Sequence, residues 1–258
     1  MRSSLAALIY ILLYFCSSCQ GIIHGSNTSL SHFPFIVSLA SSSIFGDSHI
    51  CGGVIIGEKT VLTAAHCCDG SSTSSLKIRY GSNSHVKGGK YATITKITKH
   101  PNWNTNTIDY NYCILTVNPF DLSIGPSQIA KLSNIPSSSF DNKILHFAGW
   151  GKTNSSSTKL PVVLQSATER LVPHAECDNA WSDKNVITPQ MICGAPSSDQ
   201  DQHISACNGD SGGPLVDSES QSLVGISSYG ENGCTAVPRP NVYSDIHAVS
   251  DWIRLNIS

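Results

Sequence analysis

The residues of this chain best suited to chemistry lie in one glycine-rich string, Cys207-Asn208-Gly209-Asp210-Ser211-Gly212-Gly213-Pro214. It sets the hydroxyl of Ser211 among glycines, so that a carbonyl group can approach the backbone closely. A serine hydroxyl is a weak nucleophile until a base removes its proton, so the string requires a histidine that folding brings within reach. The segment Val61-Leu62-Thr63-Ala64-Ala65-His66-Cys67 supplies one. Backbone N–H groups of Gly209 and Ser211 would then receive the oxyanion of a tetrahedral intermediate. A glycine-rich string can also be an ordinary turn, but the accompanying histidine segment argues for nucleophilic catalysis.

The elements that must hold these residues read as short strands. Runs such as Phe35 to Leu39, Leu76 to Tyr80, Ala92 to Thr98 and Ile144 to Trp150 are β-branched or alternating, and clusters of Ser, Gly, Asn and Pro separate them. This predicts an all-β fold. Serine triplets at 41–43, 137–139 and 155–157 read as surface loops. Only the C-terminus carries a helical pattern, through Val249, Trp252, Ile253 and Asn256, with Asp245 a candidate cap upstream. At 258 residues and 40% apolar content, the chain can bury the core of one all-β unit or two fused barrels.

Residues 1–21 read as a secretory signal peptide, with at most a very short propeptide. Arg2 is its only basic residue, Leu5 to Phe15 is an unbroken apolar run of eleven, and small residues follow. Eleven residues are too few to span a bilayer, so no membrane span is expected and the mature protein, 22–258, should be secreted. The formal charge of −2 becomes more negative once Arg2 is lost, which argues against nucleic acid as a partner. Of ten cysteines, Cys16 and Cys19 leave with the signal, and the even remainder can pair fully in an oxidising compartment. Spacing alone does not fix the pairs. Zinc is the competing use of cysteine, but beyond the signal, in residues 22–258, no CxxC or HExxH spacing supports it, so neither metal nor cofactor is expected.

The strings around Ser211 and His66 resemble the trypsin and chymotrypsin family of serine proteases, and the resemblance runs from Ile22 to Ser258. It implies two six-stranded antiparallel barrels with the catalytic cleft between them, His66 on the first and Ser211 on the second. It implies disulfides joining Cys51 with Cys67, Cys177 with Cys193, and Cys207 with Cys234. Cys68 and Cys113 remain, two residues beyond His66 and Asn111, positions that the family fold holds close, so a fourth bridge is expected. Gly21-Ile22-Ile23-His24-Gly25 resembles the family's mature amino terminus, whose freed α-amino group pairs with the aspartate before the serine, here Ile22 with Asp210. No Lys or Arg lies between Arg2 and Ile22, so activation by tryptic cleavage is not available. Cys19 and Gly21 suit signal peptidase instead. The segment 81–91, where trypsins often bind calcium, holds no Asp or Glu, so no calcium site is expected. Asn27, Asn154 and Asn256 begin glycosylation sequons.

The chain also departs from the family. The position that should carry the aspartate orienting the histidine holds Asn111, within Asn106-Thr107-Ile108-Asp109-Tyr110-Asn111-Tyr112-Cys113-Ile114-Leu115. An amide can donate to Nδ1 and drive the proton onto Nε2, which leaves the histidine in the wrong tautomer to accept from Ser211. Asp109 lies two residues away, about 6.6 Å along a strand, too far to substitute without moving the backbone. The floor of the specificity pocket is Ser205, uncharged as in chymotrypsin-like members. Gly230 forms one wall, Tyr229 replaces the usual tryptophan, and Asn241 stands where the family has glycine, which should narrow or fill the pocket. Within the family, Ser75-Leu76-Lys77-Ile78-Arg79-Tyr80 is similar to mite digestive proteases, and the departures resemble the inactivated protease paralogues of the scabies mite. That resemblance implies a secreted homologue with little or no peptidase activity that binds another protein, host complement components among the candidates. The rival expectation is a weakly active endopeptidase of chymotrypsin- or elastase-like preference.

Overall fold

The computed structural model describes residues 22–44, 46–197 and 203–257, and the expected signal peptide lies outside them. The first half of the chain builds one antiparallel sheet from β2 (Ile36–Ser43), β3 (Gly46–Gly57), β4 (Thr60–Thr63), β5 (Leu76–Tyr80), β6 (Lys90–Ala92), β7 (Ile94–Lys99) and β8 (Cys113–Val117). A short strand ahead of them, β1 (Ser26–Asn27), joins the other half instead. The strand order is β6-β5-β2-β3-β4-β8-β7, a curled sheet. In β5, Leu76, Ile78 and Tyr80 turn inward while Lys77 and Arg79 face out, the period of two that a half-buried strand requires.

The second half contributes β9 (Lys131–Leu132), β10 (Ile144–Gly149), β11 (Gln165–Val172), β12 (Met191–Pro196), β13 (Pro214–Asp217), β14 (Ser222–Tyr229) and β15 (Asn241–Asp245). The pairing β11-β10-β13-β14-β15-β12 returns from β12 to β11, so six strands close into a barrel with no free edge. Its interior packs Phe147, Leu171, Ile192, Leu215, Val224 and Tyr243 around the wholly buried Ile22. The all-β architecture with a C-terminal helix expected from sequence is present.

Two local expectations need correction. The run Ala92 to Thr98 is not one strand: it breaks at Thr93, where β6 leaves its pairing with β5 and β7 begins pairing with β8. A helix missing from the sequence reading, α1 (His174–Trp181), follows Pro173. Only Cys177 and Trp181 of its eight residues are buried, too few for a 3.6-residue period to stand out. The C-terminal helix α2 (Ser250–Asn256) is entered through a 3-10 turn at His247–Val249, and Asp245 caps that turn by accepting the His247 N–H at 2.9 Å. Among the described residues no helix is long and apolar enough to cross a membrane.

Candidate active site

His66 and Asn111 meet because of one strand pairing. In the antiparallel ladder of β4 and β8, Thr63 stands opposite Cys113. The residues just beyond β4 therefore face those just before β8. His66 sits in the 3-10 turn Ala65–Cys68, and the disulfides Cys51–Cys67 and Cys68–Cys113 tie that turn to β3 and β8. The other bridges, Cys177–Cys193 and Cys207–Cys234, secure α1 to β12 and close the loops around the pocket.

Asn111, 1% exposed, stands against the imidazole. Its Oδ1 accepts the His66 backbone N–H at 3.1 Å, which turns its Nδ2 toward the hydroxyl of Ser228 at 2.8 Å and toward His66 Nδ1 at 2.9 Å. The amide oxygen is farther from Nδ1, at 3.3 Å. An amide NH₂ can only donate, so Nδ1 is the acceptor and the ring proton resides on Nε2. Burial also holds the His66 pKa below the ordinary histidine range, a shift that the charge of Asp69 only partly opposes. Asp109 is engaged elsewhere. Its Oδ1 accepts from Thr188 Oγ1 at 2.7 Å and from the Tyr110 N–H at 2.8 Å, between two residues with positive φ, Ile108 and Tyr110.

Ser211 lies in the turn before β13, where the two halves of the chain touch. Gly52 donates its N–H to the Ser211 carbonyl at 2.8 Å, and a Cβ on Gly52 would stand 2.9 Å from the Gly213 Cα. Only glycine allows that approach. Ser211 and His66 line one cavity. The Asn208 carbonyl accepts from Lys152 N and the Asp210 carbonyl from Gly213 N, both at 2.9 Å. In trans peptides the adjoining N–H groups of Gly209 and Ser211 point the opposite way. His49, absent from the sequence reading, supports this turn. Its Nε2 bonds the Gly209 carbonyl at 2.9 Å and its Nδ1 the Ser38 hydroxyl at 2.7 Å, and burial lowers its pKa to about 4, so it is neutral there.

Ile22 is fully buried. The Asp210 carboxylate accepts the N–H groups of Gly151 at 2.8 Å and Cys207 at 2.9 Å. Burial raises its pKa to about 7, above what those two bonds offset.

The open cleft beside Ser211 measures about 420 Å³ and runs from His66 past Ser211 to Asn241. Asn241 lines it, while Ser205 is wholly buried. The Asn241 Oδ1 accepts from Ser205 Oγ at 3.0 Å, and a Cβ on Gly230 would stand 2.8 Å from that same oxygen. On its other side the amide nitrogen donates to Glu169, which also accepts from the Tyr243 hydroxyl at 2.7 Å. The amide thus spans the pocket above Ser205. Sequence reasoning missed Glu169 and Tyr243, and β11, which also carries Gln165, Ser166, Thr168 and Arg170, offered no apolar pattern against which Glu169 would stand out. Tyr229 packs edge-on to Trp181 at 5.3 Å and accepts from Asn185 Nδ2 at 2.8 Å.

The family model described as Trypsin matches residues 22–253, nearly the whole described chain. This chain belongs to the trypsin family. Among its curated relatives, Trypsin 5G1 of Aedes aegypti is 33% identical over 237 residues, covering 90% of this chain and 84% of its own length. Trypsin beta of Drosophila erecta is 34% identical over 234 residues, covering 90% and 87%. Trypsin delta of Drosophila melanogaster is 34% identical over 237 residues, covering 91% and 88%. As a trypsin-family domain with four disulfides, the chain is chemically suited to an oxidising, extracellular setting.

Proposed function

We propose that this trypsin-family chain is a secreted protease homologue with severely impaired turnover that acts by binding another protein. The observation that carries the reading is the contact of the Asn111 amide nitrogen with His66 Nδ1. In an active triad an anionic acceptor holds the Nδ1 proton, leaves Nε2 free to take the serine proton and stabilises the resulting cation. Here the proton sits on Nε2, and a neutral amide rather than a carboxylate faces Nδ1, where an imidazolium would need its support. His66, Asn111 and Ser211 form a degenerate triad, with Gly209 and Ser211 as the oxyanion donors. Ser205, Gly230 and Asn241 form the specificity pocket. Mature protein would begin at Ile22, whose α-amino group would pair with Asp210. The likeness to inactivated mite proteases makes host complement components the first partners to assay.

Labelling purified mature protein with a serine-directed phosphonate while measuring turnover of an activated ester tests the reading. Turnover near that of a working protease overturns it. A second reading, a slow endopeptidase preferring uncharged side chains, draws on the open cavity, the uncharged Ser205 and the trypsin names of the relatives. Slow turnover with efficient phosphonate labelling would favour it.

A further inference from the structure

Glu169 is a fully buried carboxyl on β11 with no part in the triad. Its two bonded partners are both donors, the Asn241 amide nitrogen and the Tyr243 hydroxyl. An ionised carboxylate can only accept, so it fixes which way the Asn241 amide lies: nitrogen toward Glu169, oxygen toward Ser205 and Gly230. That oxygen is not saturated. Ser205 has a single hydroxyl proton, and its Oγ stands 3.0 Å from both Asn241 Oδ1 and the Ala206 carbonyl. The amide oxygen keeps a lone pair for a third party, and Asn241 lines the cavity.

We infer that Glu169 is a positioning residue that presents the Asn241 carbonyl oxygen as the floor of the pocket, which thereby selects a short side chain bearing a hydrogen-bond donor, such as serine or threonine. This inference rests on the pocket reading above and extends it to a class of ligand. Depth excludes the large residues, because the amide lies above Ser205. Polarity excludes the short apolar ones, because they would leave the buried oxygen underbonded. A long cation gains nothing from Glu169, which lies behind the amide with its donors in place.

The test does not require catalysis. Rigid disulfide-closed inhibitor loops, synthesised with serine, 2-aminobutyrate, phenylalanine or lysine at the position that enters the pocket, are titrated at pH 8 by surface plasmon resonance. Serine and 2-aminobutyrate differ only by hydroxyl against methyl. The serine loop should bind about fivefold tighter than its isostere, the net worth of one hydrogen bond. The phenylalanine loop should bind weakest. In Glu169→Gln the new amide can accept or donate, Asn241 is free to turn over, and the serine preference should fall to parity or invert with the fold intact. Tyr243→Phe removes a donor to Glu169 without touching the Asn241 amide and should keep the preference, an outcome that a merely structural role for the cluster does not give. If Glu169→Gln does not fold, Asn241→Gly decides: it should abolish the serine preference and admit phenylalanine. Equal binding of serine and 2-aminobutyrate by the parent, an unchanged preference in Glu169→Gln, tightest binding of lysine, or no binding of any loop would each overturn the inference. None of these results depends on ester turnover, which tests the impaired triad separately.

Discussion

Replacing Asn111 by aspartate changes one group of a side chain that is 1% exposed and already surrounded by hydrogen-bonding partners. The His66 N–H at 3.1 Å and the Ser228 hydroxyl at 2.8 Å remain, and a carboxylate would accept from both, the hydroxyl rotating to donate. The third partner, His66 Nδ1 at 2.9 Å, changes from acceptor to donor, and Nε2 becomes free to accept from Ser211. Three donors offset much of the cost of burying the new charge. The reverse exchange in a working triad costs about 10⁴ in turnover, roughly 5.5 kcal/mol of barrier. Asn111→Asp should therefore raise kcat on a small activated ester by about 10³ to 10⁴. The His66 pKa, now held down by burial, should rise, because the carboxylate stabilises the imidazolium. Stopped-flow ester hydrolysis from pH 5 to 9, with a nitrogen NMR titration of His66, reads both effects. A folded Asn111→Asp protein with less than a tenfold gain, or a parent imidazole whose proton sits on Nδ1, would refute the reasoning.

Peptide cleavage should need a second change. Asn241 still spans the pocket in Asn111→Asp, so only addition of Asn241→Gly should permit cleavage after large apolar residues, and equal peptide rates in the single and double variants would contradict this. Amino-terminal sequencing of secreted protein should find Ile22 within two residues of the start without trypsin treatment, whereas a longer propeptide would argue against signal peptidase as the activating enzyme. Removing the Cys68–Cys113 bridge as a double alanine variant should cost about 4 kcal/mol for its separation of 45 residues, read by denaturant unfolding; a loss below 1 kcal/mol would show that the bridge constrains little of the unfolded chain. The Glu169 carboxyl has a folded pKa of about 7 against an ordinary 4.5, raised by burial. A raised acid is fully accommodated below pH 4.5, and stability is lost as pH climbs toward 7. Over that window the parent should lose about 3 kcal/mol relative to Glu169→Gln, and parallel stability curves would contradict the shift.

The residue types of the site were legible in the sequence because their chemistry is local. The glycines around Ser211 and the histidine before Cys67 form contiguous strings, and strand alternation in segments such as Leu76–Tyr80 follows from the period of the pleat. The substitution at position 111 was legible too, since matching apolar residues on both sides set its register. What the sequence could not carry was any relation resting on separate strands meeting inside a closed barrel. Thr188 engages Asp109 and His49 reaches the Gly209 carbonyl across long stretches of chain. Helix α1 buries too few residues to leave a period. The floor of the pocket is the clearest case. Asn241 read as steric bulk because one residue discloses only its volume. Its orientation depends on Glu169, 72 positions away and neighbouring only because β12 pairs with both β11 and β15. A hydrogen bond selects the direction of an amide over distances near 3 Å, and which groups lie that close is decided by tertiary closure.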